Sequence, residues 1–176
     1  MSTRTRTVVA ISAVALLVAV TAYAGVLAVL IRDAPRKDPA VTAYAHGRTV
    51  TVAPFLYCSV SMADCRYGET VDLAVPAGYP LQLSLPPQIA EAPWLAQLIY
   101  ERPDGEQVDR LVAHDDFGDE ALAVTLDSRP EPNLRLVGVE IQLPILARDE
   151  TGREFYVPHA AWSINTAPDE RGRPAE

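Results

Sequence analysis

The sequence predicts an all-β domain, an immunoglobulin-like β-sandwich, behind a single N-terminal transmembrane helix. Three observations carry that expectation. Residues 8–31 form an uncharged apolar run, short apolar and β-branched segments recur after residue 40, and Gly-, Pro- and Asp-bearing turns separate those segments.

The apolar run VVAISAVALLVAVTAYAGVLAVLI would make roughly 36 Å of helix at ~1.5 Å per residue, enough for a hydrocarbon core of ~30 Å. Buried helices of soluble proteins rarely extend this far without one charge or amide. A cleavable signal peptide is the competing reading. Arg4 and Arg6 precede the run, and Ala22-Tyr23-Ala24 has the small-x-small form of a cleavage site. The apolar stretch continues for seven residues past Ala24, which favours a retained anchor. No cysteine follows closely enough for lipid attachment. Within the helix, Ala15 with Ala19 and Thr21 with Gly25 form two small-x-x-x-small pairs, candidate helix–helix contacts.

The chain then divides into a cytoplasmic N-terminus (1–7), the membrane helix (8–31), a linker RDAPRKDP (32–39), a β domain (40–166) and a polar tail (167–176) expected to be disordered. Basic residues do not orient the helix, because Arg4 and Arg6 are balanced by Arg32, Arg36 and Lys37. Cys58 and Cys65, the two cysteines, do so more clearly. They flank a short polar loop, and in a domain outside the cytoplasm such a pair reads as a disulfide; a reduced buried pair and half of a metal site are the rivals. The expected location is the cell membrane, single-pass, with the N-terminus cytoplasmic and the C-terminal domain extracytoplasmic. From residue 38 onward 22 carboxylates outnumber 10 arginines, an excess of 12 negative charges. Nucleic acid is therefore excluded as a partner, and so is flat adsorption of the domain to anionic headgroups.

Strands are expected at 41–45, 49–53, 70–75, 81–85, 95–101, 107–113, 121–126, 134–143, 154–157 and 161–165, where alternation or β-branched runs replace helical periodicity. His46-Gly47-Arg48, Pro103-Asp104-Gly105 and residues 149–152 supply tight turns. One helical turn is expected at 87–91, with Pro87 at its first position. Strands of this length at this spacing suit a sandwich.

No chemistry of catalysis stands out. The chain lacks a G-x-S-x-G elbow, and its histidines, His46, His114 and His159, have no zinc-ligand spacing, so neither an enzyme nor a cofactor nor a metal is expected. The acidic run at 114–120 reads as a solvated loop or a weak cation site. Trp94 and Trp162 read as core. A groove lined by Trp94, Tyr57, Tyr67 and Tyr79 is the alternative, with Tyr57 and Trp94 the candidate ligand or partner surface.

The anchor, the segments GRTVTVAPFLYCSVSMADC and LAVPAGYPLQLSLPPQIAEAPW, and the closing AAWSIN together resemble DUF2771, an actinobacterial family of small envelope proteins. The resemblance spans roughly residues 40–166. Its most specific parts are the two cysteines with Pro54 and Tyr57, and residues 90–94. It implies a membrane-anchored domain of the cell envelope and supplies no catalytic residue. Family members are typically membrane- or lipid-anchored, and this chain lacks the lipobox cysteine. The expected role is that of an accessory or protein-interaction subunit of a membrane or envelope complex, held in the lipid bilayer by residues 8–31. The alternative is a binding protein for an envelope lipid or glycan.

Overall fold

The computed structural model describes residues 3–33, 38–118 and 121–167. It divides into two compact units, Met1–Lys37 and Asp38–Glu176. The first is one helix, α1 (Thr3–Asp33). Its stretch Ile11–Arg32 is long and apolar enough to cross a membrane, and its side chains are all exposed. The expected tail lies outside the described residues except for Ala167, and so do residues 34–37 of the linker.

The second unit is two β-sheets around one apolar core. β1 (Val41–Ala45) and β2 (Arg48–Val52) form a hairpin whose turn needs positive φ at His46 and Gly47. β6 (Leu81–Ser84) and β9 (Ala123–Leu126) complete the four-stranded sheet, in the order β2-β1-β6-β9. The larger sheet runs β4-β3-β11-β10-β7-β8. It uses β3 (Leu56–Tyr57), β4 (Arg66–Tyr67), β7 (Leu95–Glu101), β8 (Gln107–Ala113), β10 (Arg135–Arg148) and β11 (Glu154–Asn165). Pairing is antiparallel except where the two-residue β5 (Val71–Asp72) lies parallel to β11. The short helix α2 (Pro87–Ala90) is the expected turn, with Pro87 in its first turn, where no backbone donor is required.

Alternation along each strand sorts side chains to one face. Val41, Ala43 and Ala45 of β1 and Leu81 and Leu83 of β6 meet Ala96, Leu98 and Tyr100 of β7 and Leu136, Val139 and Ile141 of β10 in one cluster. Trp162 lies at its centre, fully buried, and its indole N–H donates to the Pro39 carbonyl at 2.9 Å. Among the described residues, the two fully buried polar side chains, Ser128 and Thr166, are satisfied. Ser128 accepts from the Gly78 amide, and Thr166 donates to the Leu136 carbonyl.

The largest departure from expectation lies at the end of the chain, where segments 154–157 and 161–165 are one continuous strand and β10 runs on to Arg148. Proline removes a ladder donor and usually ends a strand. Here Pro144 and Pro158 are opposite one another beside a register shift at Leu143/Pro144, so both missing donors fall on one rung. Segment 70–75 is regular only at Val71–Asp72, although the Leu73 and Val75 amides still donate to the carbonyls of Asn165 and Thr166.

Candidate functional site

Beyond the sandwich, β10 and β11 continue as a bare ribbon. β7 accompanies β10 only as far as the Gln142↔Leu95 pair, and β3 accompanies β11 only around Tyr57↔Ala160. From Pro144 to Arg148 and back from Glu154 to Pro158 the two strands pair with each other alone, roughly 14 Å of ribbon at ~3.4 Å per residue. Isolated two-stranded ribbons are marginal in water. This one carries Leu146 and Tyr156 opposite each other, 56% and 73% exposed, with Phe155 exposed on the other face. Its tip is fixed by Asp149, whose carboxylate accepts from the Thr151 hydroxyl and amide and from the Arg153 amide. The Thr151 hydroxyl bond is the main reason this carboxyl titrates below its ordinary range, with the Arg153 amide next. Arg148 pairs with Glu154 across the ribbon.

Where the ribbon leaves the sheet, the cysteine loop begins. The Cys58 amide donates to the His159 carbonyl at 2.7 Å, which ties the loop to β11. The sulfurs of Cys58 and Cys65 are 2.08 Å apart, the bonding distance of a disulfide. The loop between them turns through positive φ at Met62 and Asp64 and exposes Val60 and Met62. Behind it, Gly68 comes so close to β3 that a Cβ there would lie 2.6 Å from the Pro54 carbonyl oxygen. The loop and the ribbon thus present exposed apolar side chains from adjoining positions along β11.

The candidate ligand residues separate. Trp94 is 2% exposed and stacks on Phe117 with centroids 5.7 Å apart, so it offers no surface to a ligand. Its flat face was better spent between the sheets than in solvent. Tyr57 is half-buried beneath the Arg66 guanidinium, 5.3 Å from its ring centroid, and Asp38 holds that arginine. Tyr67 is exposed on the edge strand β4, and Tyr79 lies elsewhere, against His46. The groove proposed to join Trp94, Tyr57, Tyr67 and Tyr79 is therefore not formed. In its place Tyr44, His46, Tyr79 and Gln82 line a shallow cleft of about 380 Å³ on the smaller sheet.

Part of the acidic run, His114–Phe117, is a 3-10 turn in which Asp116 accepts from the Ala113 amide and Phe117 reaches the core. Residues 119–120 lie outside the described residues, and among those described no three acidic, His or Cys side chains gather as for a metal. In the helix, the Thr21 hydroxyl donates back to the Leu17 and Val18 carbonyls, and the space beside Gly25 is open. At ~100° per residue, the Ala15/Ala19 and Thr21/Gly25 pairs face directions about 120° apart, so one neighbouring helix could not cover both.

Fold and site together define a class: a two-sheet β domain, cross-linked at one edge, following a single membrane-length helix. The family model for "Protein of unknown function (DUF2771)" matches residues 34–167, and the chain belongs to that family. Uncharacterized proteins of Mycobacterium tuberculosis and Mycobacterium bovis are each 36% identical over 151 residues, covering 85% of this chain and 90% of theirs. No solved structure matches the chain.

Proposed function

We propose that the chain is a non-catalytic accessory subunit, N-terminus cytoplasmic, whose extracytoplasmic domain binds another membrane or envelope protein. The observation that carries this is the exposed pair Leu146 and Tyr156 on one face of a ribbon paired only with itself, with Phe155 exposed on the other face and Val60 and Met62 exposed on the disulfide loop. Scattered apolar residues are normal on any surface, but a ribbon with little core of its own gains from being covered. The charged tip, Arg148 to Glu154, would form a polar rim around an apolar contact.

The full-length tagged chain, purified in mild detergent from native membranes, should bring down one protein in stoichiometric amount. Leu146→Ser with Tyr156→Ser should abolish that recovery while leaving the thermal transition of the β domain in place. Recovery unaffected by the double variant would overturn the proposal.

A second reading draws on the Tyr44–Tyr79 cleft. Two exposed tyrosine rings flanked by His46 and Gln82 offer stacking faces and hydrogen-bonding groups together, which suits an envelope glycan. If Tyr79→Ala weakens retention of the full chain on isolated cell-wall glycan at least fivefold, this reading gains. Equal retention removes it.

A further inference from the structure

Strand alternation turns two rows of side chains outward from the four-stranded sheet. Thr51, Thr42, Ser84 and Ala123 stand side by side in one row. Thr49, Tyr44, Gln82 and Thr125 stand in the next. Thr42 is half-buried and the others are exposed. None of these side chains is charged, in a domain that carries 22 carboxylates and 10 arginines from residue 38 onward. A solvated face needs no such exclusion of charge, as the larger sheet shows with Glu101, Asp109 and Glu140 on its outward face. All but Ala123 carry a hydroxyl or an amide, and among the described residues none of these groups is hydrogen-bonded within the domain. Elsewhere the hydroxyls of Ser59, Thr70, Ser128, Thr151 and Thr166 are all engaged.

The face continues the Tyr44–Tyr79 cleft, because Tyr44 and Gln82 belong to both. At the far end of the cleft the His46 and Tyr79 rings meet with centroids 4.2 Å apart. From His46 to Thr42 is about 14 Å along β1 at ~3.4 Å per residue, the length of a short oligosaccharide. The chemistry of this surface selects its occupant. Protein hot spots favour tryptophan, tyrosine and arginine and hold few serines or threonines, whereas here Tyr44 stands alone among hydroxyls. A polyanion would be repelled by a domain with an excess of 12 negative charges. A polycation would find no carboxylate in either row. An uncharged polyhydroxyl chain needs what is present, hydroxyl and amide groups that donate and accept, and ring faces to lie against. Threonine is β-branched and stiff at χ1, so these hydroxyls lose little freedom when they bind.

Resting on the glycan reading of the Tyr44–Tyr79 cleft, we propose that the outward face of the four-stranded sheet binds an uncharged polysaccharide. The chain is seated in the cleft and runs along β1 and β6 as far as Thr42 and Ser84, with Thr51 beside it on β2. The cleft supplies the stacking faces, and the row beyond it supplies hydrogen bonds that fix the direction of the chain.

The test immobilises the full chain in phosphatidylcholine nanodiscs and measures binding of released cell-wall polysaccharide, split on an anion exchanger into neutral and acidic fractions. The neutral fraction should bind saturably and the acidic fraction should not. Thr51→Glu and Ser84→Glu, in the row outside the cleft, should each weaken neutral binding at least fivefold. Gln107→Glu, on the exposed edge strand β8, should leave it unchanged. Thr51 and Ser84 are exposed positions on different strands, so each variant should keep the wild-type thermal transition and either one alone decides the result. Neutral binding that is weakened by Tyr79→Ala but unchanged by Thr51→Glu and Ser84→Glu overturns the extended face and leaves the cleft as the whole site. Neutral binding indifferent to Tyr79→Ala removes the cleft reading, and with it the seat of the chain. No saturable binding of the neutral fraction, or tighter binding of the acidic one, overturns the proposal.

Discussion

Trp162 shows how much a single side chain can fix. Its ring fills the space between the sheets, and its N–H reaches the Pro39 carbonyl, where the described part of the β domain begins. Trp162→Phe keeps an aromatic ring but removes the donor and leaves a void, two losses that act together. A destabilisation of about 2–4 kcal/mol is expected from denaturant unfolding, and a value below roughly 0.5 kcal/mol would show that the Pro39 contact is not made. Position in the chain already placed both tryptophans in the core, since each introduces an apolar strand. Tyr57 was harder to place. Its cover is Arg66, held in turn by Asp38, and no local pattern reveals a contact between residues 28 apart.

Elements were legible where alternation lasted four residues or more. β3 and β4, two residues each, carry too little pattern to be read, and only the sheet beside them makes them strands. The ribbon was misread because proline is a local signal of ending, whereas Pro144 and Pro158 share a rung and cost the ladder once. Its tip therefore depends on Asp149 rather than on neighbouring strands. The carboxyl's folded pKa is lowered, mainly by the Thr151 hydroxyl and then by the Arg153 amide. Its contribution is thus complete above the ordinary carboxylate range and is lost as pH falls through the lowered value. The protection of the amides at residues 150–153, measured against their intrinsic exchange rate at each pH, should fall in acid over that window, and Asp149→Ala should bring the same loss of protection at neutral pH. If exchange in the variant matched wild type at neutral pH, Asp149 would not be what holds the turn.

For the whole molecule, the question is what would hold an acidic domain at a membrane. An excess of 12 negative charges is repelled by anionic headgroups, and the basic residues nearest the bilayer, Arg32, Arg36 and Lys37, belong to the end of the helix and the linker. Attachment must then rest on the apolar helix, provided it is retained. Cleavage after Ala24 would leave GVLAVLI, seven apolar residues that are too few to span ~30 Å of hydrocarbon. The intact mass of the protein from native membranes should therefore match the full 19.1 kDa chain, and carbonate washing should not release it. A chain lacking residues 1–31 should appear in the soluble fraction with the Cys58–Cys65 bond formed if it is exported, and with two free thiols if it stays in the cytosol. In the full-length protein, thiols that react with maleimide before any reductant is added would place the domain on the cytoplasmic side. A mature chain beginning at Gly25 would make the helix a signal sequence, leaving any membrane attachment to a partner on the exposed Leu146–Tyr156 face of the ribbon.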